Sequence, residues 1–71
     1  MKLVNIEGVE LNIDVDCLLG RVYVNEKQYE VAKPTKLLGF RYYRKKLADR
    51  TLKLRDSLVY SYIKYGFKEL N

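Results

Sequence analysis

The chain has 71 residues, 48% of them hydrophobic, with 14 Lys and Arg against 9 Asp and Glu and no His. That length suits one domain and no more, and a chain so short buries only about 60% of the surface its unfolded form exposes. The missing imidazole removes the commonest general base and metal ligand, and the lone Cys17 rules out a disulfide within the chain.

The hydrophobic content is too high for bulk disorder. No apolar run approaches the roughly 18 residues of a membrane span. The first residues include Glu7, Glu10, Asp14 and Asp16 and no apolar leader. A single thiol without a secretory signal fits a reducing compartment, so the expectation is a cytoplasmic protein with no membrane contact.

In chain order, residues 9–17 alternate without exception between apolar odd and polar even positions, the period of a half-buried strand. Glu7-Gly8 before it suits a two-residue hairpin loop, which sets Ile6 opposite Val9 and Val4 opposite Leu11. A second hairpin follows, with Arg21-Val22-Tyr23-Val24 and Tyr29-Glu30-Val31 around a loop at 25–26 or 26–27. Both registers keep Val22, Val24, Tyr29 and Val31 on one face. Leu18-Leu19-Gly20 between the hairpins reads as a buried corner or a bulge. Cys17 continues the apolar side of its strand and reads as a buried small hydrophobe.

Pro34 closes the β region, and Thr35 is placed to cap a helix from about Lys36. Phe40, Tyr43 and Leu47 form its apolar stripe. A second helix is expected within 50–70, with two stripes: Leu52, Val59, Ile63 and Leu70, then Leu54, Leu58, Tyr62 and Tyr65. A strand followed by a helix from Ser57, or a hairpin, are the alternatives for 51–67. Gly66 fits the residue after a helix end, with Phe67 as its hydrophobic contact. The two stripes suggest a homo-oligomer through residues 52–67. The fold class is therefore α+β: a small antiparallel sheet of two hairpins, then two helices packed on one face. The expected core is Val4, Ile6, Leu11, Ile13, Val15, Val22, Val24, Val31, Phe40, Leu47, Val59 and Ile63.

Charge divides the chain. Residues 1–32 hold three bases and six acids, a net of −3, and residues 33–71 hold eleven bases and three acids, a net of +8. Nine of those bases fall within 33–55 beside a single acid, Asp49. Such density attracts polyphosphate, because each neutralised phosphate releases condensed counterions. Lys36, Arg41, Arg44, Lys45, Lys46, Arg50 and Lys53 are the expected phosphate contacts, and Tyr42 within Arg-Tyr-Tyr-Arg is placed to pack on a sugar or base. The bland alternative is a solvated helix face. A helix-turn-helix with its connection at Ala48 to Arg50 is a weak match, since that connection lacks glycine.

No activated nucleophile, phosphate-binding glycine loop or metal-ligand cluster is visible, so no enzyme, cofactor or metal is expected. The leading expectation is a non-enzymatic nucleic-acid-binding protein, DNA ahead of RNA, with a regulatory or accessory role. The alternative is a protein-interaction module or inhibitor docking its Arg and Tyr side chains on an acidic partner. Lys and Tyr are frequent, a composition found among small basic proteins of phages and mobile elements.

Overall fold

The structure, a computed structural model, describes residues 1–70. Four strands form an antiparallel meander: β1 (Lys2–Val4), β2 (Glu10–Asp16), β3 (Arg21–Val24) and β4 (Lys27–Glu30). A 3-10 turn over Lys36–Leu38 leads into one helix, α1 (Phe40–Lys64), and the chain returns to a short fifth strand, β5 (Lys68–Leu70). The sheet order is β4-β3-β2-β1-β5, with all pairs antiparallel. The α+β class holds, but the sheet has five strands and the helical part is one long helix in place of two.

The first hairpin departs from its expected register. Asn5 closes a three-residue loop, donating its N–H to the Val9 carbonyl at 3.1 Å and accepting the Gly8 N–H at 3.0 Å. Its side-chain oxygen also accepts the N–H groups of Glu7 (3.1 Å) and Val9 (2.8 Å). Gly8 takes the left-handed conformation that ends this loop, φ 82°. Leu3 therefore pairs with Leu11, not Val4. One residue of slip turns every side chain of a strand over, so Leu3 is fully buried while Ile6 is fully exposed. Apolar alternation could not settle this, because the extra loop residue is recruited by the Asn5 side chain.

The link between β2 and β3 is a tight hairpin turn, so the two expected hairpins merge into one meander. The Asp16 carboxylate accepts the N–H groups of Leu18 and Leu19, both at 3.1 Å. Leu18 and Leu19 are exposed and Cys17 half-buried, so this is not the buried corner that their composition suggested. Gly20 is required here. It sits at φ 72°, and a Cβ would lie 2.6 Å from Cδ1 of Leu47 on the helix. The β3–β4 loop is centred on 25–26, with Val22 opposite Tyr29.

Thr35 makes no side-chain cap, and the α-helix starts four residues after Lys36. Gly39, at φ 92° and ψ 148°, separates the 3-10 turn from α1. From there the helix runs 25 residues without a break. Ala48-Asp49-Arg50-Thr51 contains neither Gly nor Pro, so nothing stops it, and a helix-turn-helix is excluded. Thr51 is fully buried inside it, its hydroxyl satisfied by the Leu47 carbonyl at 2.7 Å.

The helix ends as Gly66 predicted. Gly66 takes φ 100°. Its N–H reaches the Ile63 carbonyl at 3.1 Å, and that of Phe67 reaches the Tyr62 carbonyl at 3.0 Å. Phe67 and Tyr62 meet edge to face, ring centres 5.6 Å apart. Together these make a complete Schellman end. The turn sends Lys68–Leu70 back to pair with β1, so Leu70 belongs to a strand and not to a helical stripe.

The buried hydrophobics are Leu3, Ile13, Val22, Val24 and Leu47. Leu11, Tyr29, Leu54, Leu58, Val59, Tyr62 and Phe67 pack around the sheet-side cluster. Of the expected core, Ile13, Val22, Val24 and Leu47 are buried, and Val4, Leu11, Val15, Val31 and Val59 half-buried. Ile6, Phe40 and Ile63 are exposed. The stripe of Leu54, Leu58 and Tyr62 faces the sheet, while Leu52, Tyr60 and Ile63 lie outside. The other sheet face is polar, with Glu10, Asn12, Asp14, Gln28 and Glu30 all exposed.

Candidate nucleic-acid interface

The site is built on the first half of α1. Successive helical residues are turned by about 100°. Leu47, Thr51 and Leu58 mark the side that faces the sheet. Relative to them, Arg41 and Lys45 stand on one side, while Arg44, only about 20° round from Thr51, is turned to the lower side. Lys46, Arg50 and Lys53 stand on the side opposite Arg41 and Lys45. Tyr42 and Asp49 form the crest between. All eight of these residues are exposed.

From Phe40 to Lys46 only Tyr43 is half-buried, and Leu47 is the first buried residue of the helix. The first two turns therefore lie beyond the packed core. Their lower side roofs a cleft of about 540 Å³ against the β2–β3 loop, lined among others by Cys17, Leu18, Lys36, Phe40 and Arg44. On the crest, Tyr42, Lys45, Lys46 and Asp49 bound a shallow depression of about 160 Å³.

Charge at this end is left unpaired. Among the described residues, ion pairs within 4.0 Å are Arg21 with Glu30 (3.0 Å) and Arg55 with Asp56 (2.9 Å). Within that set, none of Lys36, Arg41, Arg44, Lys45, Lys46 or Lys53 has a carboxylate partner, and Asp49 has no cation. Several cations rest on aromatic rings instead. Arg44 lies 5.1 Å from the Phe40 ring centre, Lys46 5.9 Å from Tyr42, and Lys36 6.0 Å from Tyr43. Contacts of this kind are worth about 0.5–1 kcal/mol at exposed sites.

The helix start adds to the positive potential. Its first turn carries Arg41 and no acid. A cation there opposes the helix dipole by about 0.3–1 kcal/mol. Arg41 thus costs stability where Asp or Glu would add it, so folding alone does not account for it.

The eight sequence-predicted residues do not share one flat face. Lys36, Arg44 and Lys45 border the cleft, Tyr42, Lys45 and Lys46 the crest, and Lys46, Arg50 and Lys53 a third depression. Arg50 also serves the fold. Its Nη1 donates to the Ala32 carbonyl at 2.7 Å, tying the helix to the segment after β4. Two features escaped the sequence reading. Asp49 stands on the crest without an ion pair among the described residues. Leu18, Leu37 and Phe40 are 68%, 94% and 71% exposed at the same end. Phe40 lies on the same helical side as Leu47, and it is exposed because this end of the helix stands beyond the packed core, which no local signal marks.

Catalytic equipment is sparse. No group of three or more Cys, Asp or Glu side chains among the described residues could hold a metal ion. No helix among them is long and apolar enough to cross a membrane. Burial first, and then neighbouring Tyr29, push the Tyr62 phenol above its ordinary value, but Tyr62 sits under the sheet, away from this surface. No protein-family model matches this chain, and neither a curated protein nor a solved structure matches it at a significant level.

Proposed function

We propose that this chain is a small nucleic-acid-binding protein, preferring DNA to RNA, that acts without catalysis in a regulatory or accessory role. One observation carries the proposal: six cations crowd the first half of α1 and the turn before it, and among the described residues none has a carboxylate within ion-pair distance. Cations kept for solubility need not gather where the helix dipole opposes them. Phosphate contacts account for the clustering, and Tyr42 supplies a flat ring beside them.

The test is a titration against duplex and single-stranded oligonucleotides over a salt series. Binding should reach a Kd of roughly 10⁻⁴ to 10⁻⁶ M at physiological salt and tighten steeply below it. Binding that stays constant from 50 to 200 mM salt, or that is absent at low salt, ends the proposal.

A second reading, docking on an acidic protein, draws support from exposed Leu18, Leu37 and Phe40 beside Arg44. Apolar anchors rimmed by Arg suit a protein interface. A partner that stays bound after nuclease treatment at moderate salt would favour it over nucleic acid.

A further inference from the structure

The geometry points to duplex DNA in the B form as the ligand, with the first half of α1 lying in its major groove. This rests on the nucleic-acid reading above and goes beyond it. A strand lying along the protein would need cations on one side of the helix. Here they stand on both. Arg41 and Lys45 occupy one side of the crest, and Lys46, Arg50 and Lys53 the other, all exposed. Between the flanks the crest carries Tyr42 and Asp49.

Dimensions agree with this arrangement. A helix with its side chains is about 10–12 Å across, and the major groove of B-DNA is about 12 Å wide. A helix seated there meets phosphates of both strands at once. The crest points away from the sheet, so the sheet does not block entry. Tyr42 and Asp49 then face the groove floor. A carboxylate on a basic ridge is out of place against phosphates. On the floor it can accept from the N4 amino group of cytosine, and the Tyr42 hydroxyl can both donate and accept. The major groove of an RNA duplex is too deep and narrow to admit a helix, so A-form RNA should be a poor ligand.

The test uses the full chain with matched oligonucleotides as B-form DNA duplex, RNA duplex and single-stranded DNA. Salt slopes are measured for the parent, for Arg41→Ala/Lys45→Ala and for Lys46→Ala/Lys53→Ala. Arg50 is left intact because it also holds the Ala32 carbonyl. Five flank cations give a slope of about −4 to −5 on the DNA duplex, and each double variant should lower its magnitude by about 2. Guanine N7, which lies in the major groove, should be protected from dimethyl sulfate, and a minor-groove drug should not compete. The inference is overturned if only one double variant changes the slope, if RNA duplex or single strands bind as tightly, or if the minor-groove drug displaces the protein. In those cases the nucleic-acid reading survives. If no nucleic acid binds at low salt, both fall together.

Discussion

Two stretches of the same helix obey different rules. From Leu47 to Lys64 the pattern serves the core, with Leu47, Thr51, Leu54, Leu58 and Tyr62 turned to the sheet. From Phe40 to Lys46 nothing is fully buried, and four of seven residues are Arg or Lys. Length makes the same point. A 25-residue helix is about 37 Å long, whereas the sheet spans about 23 Å along β2 and about 19 Å across its five strands. The helix is longer than the sheet needs. Its second part is explained by packing, and its first part requires another reason.

The largest effect should come from cutting the packed stretch. Leu47→Ala removes a buried side chain and should cost about 2–5 kcal/mol. Affinity for nucleic acid per folded molecule should stay unchanged, as measured by denaturant unfolding and by titration of the folded fraction. A large loss of intrinsic affinity would show that the two stretches are not separable.

Gly20→Ala comes next. The new methyl meets Leu47 Cδ1, and φ is positive. Overpacking typically costs about 1–3 kcal/mol, and the left-handed backbone about 1–2 more. In the Leu47→Ala background the clash disappears and only the backbone cost is left. A double-mutant cycle should therefore show coupling, and strict additivity would mean the helix does not press on this turn.

In the projecting stretch, stability and binding should move in opposite directions. Arg41→Glu places an anion in the first helical turn and should stabilise by about 0.3–1 kcal/mol. It should weaken nucleic-acid binding sharply, since it removes one phosphate contact and adds a repulsion. If both fall together, Arg41 belongs to the fold and the comparison between stretches fails. Leu52→Ser and Ile63→Ser, on the uncovered outer side, should change stability by no more than about 0.5 kcal/mol.

The smallest effect is a pH dependence. Tyr62 has its phenol raised by burial first and then by Tyr29. The folded state therefore prefers the neutral form. The stability this carries is complete below the ordinary phenol value of about 10 and is lost as pH rises through the raised value. Thermal midpoints should be level to about pH 9 and decline above about 10, less so in Tyr62→Phe. With no His in the chain, nucleic-acid affinity should be flat from about pH 5.5 to 7.5.

Legibility followed the range of the interactions. The alternation over 9–17 located β2, and the turn residues at 25–28 located the second hairpin with its centre open between 25–26 and 26–27, because both signals are local. Gly66 announced the helix end for the same reason. Asn5 misled because its side chain, not the apolar pattern, sets the loop length. β5 carried no local signal: three residues, all exposed, take strand form only because Lys2–Val4 offers an edge more than sixty residues earlier. The basic residues were readable as a cluster. Their division into two flanks with Tyr42 and Asp49 on the crest became visible only once the direction of Leu47 and Thr51 was known.

By itself, then, the sequence determined the α+β class, the polar outer face of the sheet and the place where charge accumulates. These follow from periodicity and composition, which are properties of neighbours along the chain. The apolar pattern did not decide that Leu3 and not Ile6 enters the core, because the Asn5 side chain sets that loop through its own hydrogen bonds. Only the tertiary structure decided that the first two turns of the helix stand beyond the sheet and that Lys68–Leu70 becomes a strand. Helix reach and edge pairing are set by what an element packs against, and the local pattern does not contain that.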